Sequence, residues 1–62
     1  SGTVSVFCMG DEAEGVTIQG LKYPLGKYTM KKDFPIGVSN EFTGHPVRIE
    51  VENGTLLIMW EG

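Results

Sequence analysis

Val47-Arg48-Ile49-Glu50-Val51-Glu52-Asn53-Gly54-Thr55-Leu56-Leu57-Ile58-Met59-Trp60 is the stretch from which the fold is read. Val47, Ile49 and Val51 alternate with Arg48, Glu50 and Glu52, the period-two pattern of a half-buried strand. Asn53-Gly54 supplies two residues that tolerate positive φ, so the spacing predicts a β-hairpin with a type I′ turn closed by Glu52 and Thr55. In that register Val51 faces Leu56, Ile49 faces Ile58 and Val47 faces Trp60, which makes one face wholly apolar. The other face pairs Glu50 with Leu57 and Arg48 with Met59. Leu57 and Met59 are therefore expected on the outer side, where something beyond the hairpin covers them.

Upstream, residues 3–9 and 16–19 read as two more strands, separated by a turn over Gly10-Asp11-Glu12-Ala13-Glu14-Gly15. Residues 20–26 form a shaped loop, because Pro24 donates no ladder hydrogen bond and Gly20 and Gly26 suit sharp bends. A short strand over 27–31 and a turn at Lys32 and Asp33 follow. Pro35 and Gly37 then mark 34–38 as an edge strand or bulge leading into Ser39-Asn40-Glu41. Five or six short strands between glycine-rich turns make this an all-β chain, a small antiparallel sandwich or barrel with no long helix.

Composition agrees. Six valines, four isoleucines, five threonines and six aromatics stand against a single alanine, a choice that suits pleated strands. No run free of glycine and proline exceeds eight residues, too short for a stable amphipathic helix or a membrane-spanning one. Net charge is −3, which argues against nucleic acid and acidic membranes, since both recruit clusters of Lys and Arg. A chain of 62 residues hides only about 60 % of the surface its unfolded form exposes. With one cysteine (Cys8) and one histidine (His45) it has neither an internal disulfide nor a structural zinc site to compensate. Either the core is unusually well packed or a partner surface completes it. The lone free thiol points to a reducing, cytoplasmic compartment.

Several candidate sites dissolve on inspection. Asp11, Glu12 and Glu14 match no calcium-loop spacing and read as a solvated turn. Gly20 and Gly26 are separated by five residues rather than the four of a phosphate loop, and Tyr28 stands where a magnesium-binding hydroxyl belongs. Asn53-Gly54-Thr55 is formally a glycosylation acceptor but sits in the tight turn. Cys8 and His45 lack an orienting third group for nucleophilic catalysis. Two loops hold more interest. One presents Lys22 and Tyr23 between bends; the other presents Ser39, Asn40 and Glu41. An aromatic face can stack on a planar or cationic ligand while adjacent hydroxyl and amide groups supply directional hydrogen bonds. The same residues also suit a core-capping tyrosine and a self-satisfied turn.

At these loops the sequence resembles the C-terminal, thiamine-binding domain of thiamine pyrophosphokinase. The resembling stretches are Gly15-Val16-Thr17-Ile18-Gln19-Gly20-Leu21-Lys22-Tyr23-Pro24-Leu25, Gly37-Val38-Ser39-Asn40-Glu41-Phe42 and Val51-Glu52-Asn53-Gly54-Thr55-Leu56-Leu57-Ile58. The resemblance implies an enzyme that transfers pyrophosphate from ATP to thiamine, giving thiamine diphosphate and AMP. It further implies a single β domain over 1–62, with the catalytic α/β domain, its ATP and its Mg²⁺ lying outside this chain, and a homodimer that completes the thiamine pocket. The isolated chain is then expected to be inactive, with no catalytic residue and no metal ligand of its own. Tyr23 takes the position expected to stack on thiamine. Ser39 and Asn40 match a Ser-Asn pair expected to hydrogen-bond it, and Lys22 and Glu41 match the pattern without an assigned role. The sequence departs from the family pattern at Gly26-Lys27 and at Lys31-Lys32-Asp33, between the two loops. The competing reading is a free-standing β-barrel module that binds a peptide or single-stranded nucleic acid, distinguished by salt-dependent binding to oligonucleotides.

Overall fold

A computed structural model describes residues 2–33 and 39–61. Its main element is one strand of 17 residues, β1 (Thr3–Gln19). At about 3.3 Å per residue it would measure roughly 55 Å if straight, yet the molecule spans 30 Å along its longest axis. The strand must bend. Gly10 (φ 79°) and Gly15 (φ 67°) supply the left-handed backbone that permits it, and the pairing register shifts between Met9 and Glu14 and again between Ala13 and Val16. The expected turn at 10–15 is thus a bulged bend within one strand. Residues 3–9 do not fold back on 16–19, because each half finds other partners. Ala13 is fully buried at the bend, while Asp11, Glu12 and Glu14 are exposed as expected.

All four remaining strands pair with β1, and all are antiparallel. Its first half pairs with β5 (Asn53–Glu61), from Thr3 opposite Glu61 to Met9 opposite Thr55. On its other edge lies β3 (Asn40–Glu41), with Val4 opposite Asn40 and Thr3 opposite Glu41. The second half pairs with β2 (Leu25–Lys31), from Glu12 opposite Lys31 to Ile18 opposite Leu25. It pairs also with β4 (Arg48–Glu50), where Ile18 meets Ile49. The result is all-β and antiparallel, as the sequence predicts, but built around a long strand rather than short ones alone. The expected strand at 27–31 is β2, two residues longer at its start, and the proposed edge strand or bulge at 34–38 lies outside the described residues.

The predicted hairpin does not form. Among the described residues β4 and β5 do not pair with each other; they pair with opposite halves of β1. Asn53 does not take positive φ, so the type I′ turn is absent, and Gly54 alone does (φ 110°). Between the strands the Glu52 N–H donates to the Glu14 carbonyl at 3.0 Å, carrying the chain from one half of β1 to the other past its bend. A Cβ on Gly54 would stand 2.9 Å from the Ala13 Cα, so the glycine serves close approach to β1. A long strand with two open edges outcompetes a two-residue turn because it offers a longer ladder and a buried face.

This pairing redistributes the apolar residues. One core joins both halves of β1: Val4 and Val6 from the first, Ala13, Val16 and Ile18 from the second, with Leu21 and Met30. Ile49, Val51 and Leu56 pack half-buried against it. Val47, Ile58 and Trp60, expected in the core, are exposed, Trp60 by 69 %. Leu57 and Met59 are exposed on the opposite, outer face of β5, as expected.

Between Val16 and Ile18 the register with β2 shifts again, and Lys27 takes positive φ (51°) there. Its ammonium pairs with the Glu52 carboxylate at the crossing between β4 and β5. The hydrogen bond from Lys27 to Glu52, reinforced by their opposite charges, raises the Lys27 pKa above its ordinary 10.5. A raised lysine pKa contributes stability that is complete below the ordinary value and is lost as pH rises through the raised one. The difference in melting temperature between the native chain and Lys27→Met should therefore stay constant from neutral pH and shrink only above pH 10.5; thermal unfolding followed by circular dichroism measures it.

Two glycines give a sharper stability contrast. Gly20 has φ 88°, and a Cβ there would collide with the Pro46 carbonyl oxygen, whereas a Cβ on Gly26 would meet nothing. Gly20→Ala should cost roughly 3 kcal/mol through strain and backbone displacement. Gly26→Ala should be neutral or stabilising by about 0.4–1 kcal/mol through lost unfolded-state entropy, with urea denaturation reading both.

Candidate functional site

The two loops singled out in the sequence are one structure. Beyond Gly20 the chain runs antiparallel to residues 40–43, and hydrogen bonds join them at nearly every step. Leu21, 5 % exposed, forms a β-bridge with Phe42 and anchors the loop in the core. The Lys22 N–H donates to the Glu41 carbonyl at 3.0 Å. The Tyr23 N–H donates to Asn40 Oδ1 at 2.9 Å, and Asn40 Nδ2 donates back to the Tyr23 carbonyl at 2.8 Å. The Thr43 hydroxyl closes the far end by donating to the Gly20 carbonyl at 2.8 Å. Phe42 also donates its N–H to the Gly2 carbonyl at 3.1 Å, so the segments before and after β1 meet on one residue.

The pieces point in different directions. Asn40 lies opposite Val4 and Glu41 opposite Thr3, and strand alternation turns neighbouring side chains to opposite faces. Asn40 faces inward and is 1 % exposed, while Glu41 faces solvent. Ser39, just before them, is exposed and has φ 61°, a backbone conformation uncommon outside glycine. Its N–H is held by Ser5 Oγ of β1 at 3.1 Å. Tyr23 is 56 % exposed, with the Lys22 ammonium 5.4 Å from its ring centroid and 3.7 Å from Glu41 Oε2. The surface here is an exposed aromatic ring, a carboxylate, an ammonium and a serine hydroxyl, an arrangement suited to a flat ligand with a positive charge.

Of the predicted site residues, then, Tyr23, Ser39, Lys22 and Glu41 are at the surface of the joined loops. Asn40, paired with Ser39 in the sequence reading, has its amide engaged by the chain itself: Oδ1 also accepts the Glu41 N–H at 3.0 Å. Leu21, Phe42, Thr43 and Ser5 build the site without having been singled out. The Thr43 contact has no sequence signal, whereas Leu21 and Phe42 are signalled by being apolar residues within polar loops. A depression where β1 pairs with β5, lined by Thr3, Ser5, Phe7, Met59, Trp60 and Glu61, shares Ser5 with these loops but does not include Tyr23. Among the described residues no group of three or more His, Cys, Asp or Glu side chains is placed to hold a metal ion. Among the described residues the donor set does not fit Mg²⁺ with ATP phosphates.

No curated protein and no solved structure matches the chain. A family profile does: that of "Thiamin pyrophosphokinase, vitamin B1 binding domain" matches residues 1–56 of the 62.

Proposed function

The chain belongs to the thiamin pyrophosphokinase vitamin B1-binding domain family, and on that premise we propose that its joined loops are the thiamine seat of a pyrophosphokinase. The single observation that carries this reading is the hydrogen-bonded union of residues 20–23 with 40–43, which joins the loop of the exposed Tyr23 ring to the segment that carries Asn40 and Glu41 and follows Ser39. Thiamine joins a flat aminopyrimidine to a cationic thiazolium. The Tyr23 ring offers a π-face to either part, and the Ser39 hydroxyl offers a directional hydrogen bond. The Glu41 carboxylate favours the positive charge, while Lys22, already over the ring and paired with Glu41, gives way to it or leaves the other ring face to the ligand.

In the complete enzyme the thiamine hydroxyl oxygen would bond to the β-phosphorus of ATP as the bond from that phosphorus to the α,β-bridging oxygen breaks; AMP leaves with that oxygen and the hydroxyl proton passes to solvent. This chain positions the acceptor. Charge neutralisation at the phosphates would fall to an N-terminal α/β domain and the Mg²⁺ held there, with a second subunit completing the pocket. The exposed strip at Leu57 and Met59 on the outer face of β5 is surface that such partners would cover. In the full enzyme Tyr23→Ala should raise the thiamine KM by roughly 5- to 30-fold, the equivalent of a partly desolvated cation-π contact of about 1–2 kcal/mol. Steady-state kinetics in thiamine measures this, and an unchanged KM removes Tyr23 from the site.

A further inference from the structure

We infer that Asn40 is a positioning residue that fixes the Tyr23 backbone, and through it the ring, without touching thiamine itself. The inference rests on the reading of Tyr23 as the stacking contact. One side-chain amide takes both backbone polar groups of Tyr23, accepting its N–H at 2.9 Å and donating to its carbonyl at 2.8 Å. This is the pattern a residue on a paired strand would offer. No ladder can continue there, since Pro24 follows and has no N–H. The carboxamide of Asn40 replaces the missing strand.

The chemistry is demanding of residue type. A group that accepts on one atom and donates on the next, at this reach, is a carboxamide on a short stem. Aspartate would set a second acceptor against the Tyr23 carbonyl, and serine cannot reach both groups. Asn40 is 1 % exposed opposite Val4, and its Oδ1 also accepts the Glu41 N–H at 3.0 Å. Turning the amide toward a ligand would leave two backbone donors unpaired. The left-handed backbone of Ser39 (φ 61°) is what separates the pair, leaving Ser39 at the surface while Asn40 enters the interior.

The test is a calorimetric titration of this chain with thiamine, using Asn40→Ala, Tyr23→Ala and the double variant. If Asn40 acts through the ring, Asn40→Ala weakens binding by about tenfold alone and by nothing further in the Tyr23→Ala background. Equal weakening in both backgrounds would show a direct contact and overturn the inference. Asn40→Asp provides a second reading of opposite sign in the two cases. As a positioning residue, the ionised aspartate repels the Tyr23 carbonyl, so affinity is poor at neutral pH and recovers as acid protonates it and restores a donor. In direct contact with a cation, the same carboxylate would tighten binding at neutral pH and lose that gain in acid. Should the unaltered chain show no thiamine binding, the failure is that of the proposed seat without the second subunit that completes its pocket, and amide hydrogen exchange still tests the clamp. Tyr23 should exchange about tenfold faster in Asn40→Ser while Val6 and Ile18 keep their native rates. Unchanged exchange at Tyr23 would overturn the clamp.

Discussion

The backbone pairing of β1 is the constraint on which everything else in this domain depends. The strands β2, β3, β4 and β5 each complete their ladders on one of its edges, two on each half. Among the described residues, five of the seven buried apolar ones, Val4, Val6, Ala13, Val16 and Ile18, are also its own. Such a strand works only if it bends, since a straight one could not bring its two halves into a common core. Gly10 and Gly15 therefore carry more of the fold than their lack of side chains suggests. A chain of 62 residues with a single cysteine gains in this way a core that both halves of the strand share.

The same bend assembles the candidate site. The first residues of β1 seat β3 and, through Ser5, the Ser39 amide. Its last residue leads through Gly20 into the Tyr23 loop. Because the two halves lie against each other, Gly2 and Leu21 both pair with Phe42, and the loops from opposite ends of a 17-residue strand become neighbours. Positioning in the site is thus inherited from the sheet. Tyr23 stays exposed because its loop is held by backbone and by Asn40 rather than by burial of its ring.

Much of this was legible in the sequence, and the failures share a cause. Strand character at 3–9, 16–19, 47–52 and 55–60 followed from alternation and β-branched residues, and the two candidate loops stood out by their glycines, proline and polar groups. Asn53-Gly54 misled because a local turn signal carries no information about a competing distant edge, and here β1 supplied one on each side of the crossing. Gly10 to Gly15 misled in the same way, since positive-φ glycines permit a bend within a strand as readily as a reversal. The inward direction of Asn40 follows from its register with Val4, a pairing between residues far apart in the chain. No local pattern distinguishes it from the exposed Ser39 beside it.

The central claim is that residues 20–23 and 39–42 act as one ligand-binding unit held by a single bent strand. A titration of the isotope-labelled chain with thiamine, followed by amide chemical shifts, tests it most directly. Signals from both segments should move together along one saturation curve, with those from Leu57, Met59 and Glu61 on the outer face of β5 unmoved. Movement of one segment without the other, or movement confined to the outer face, would contradict it.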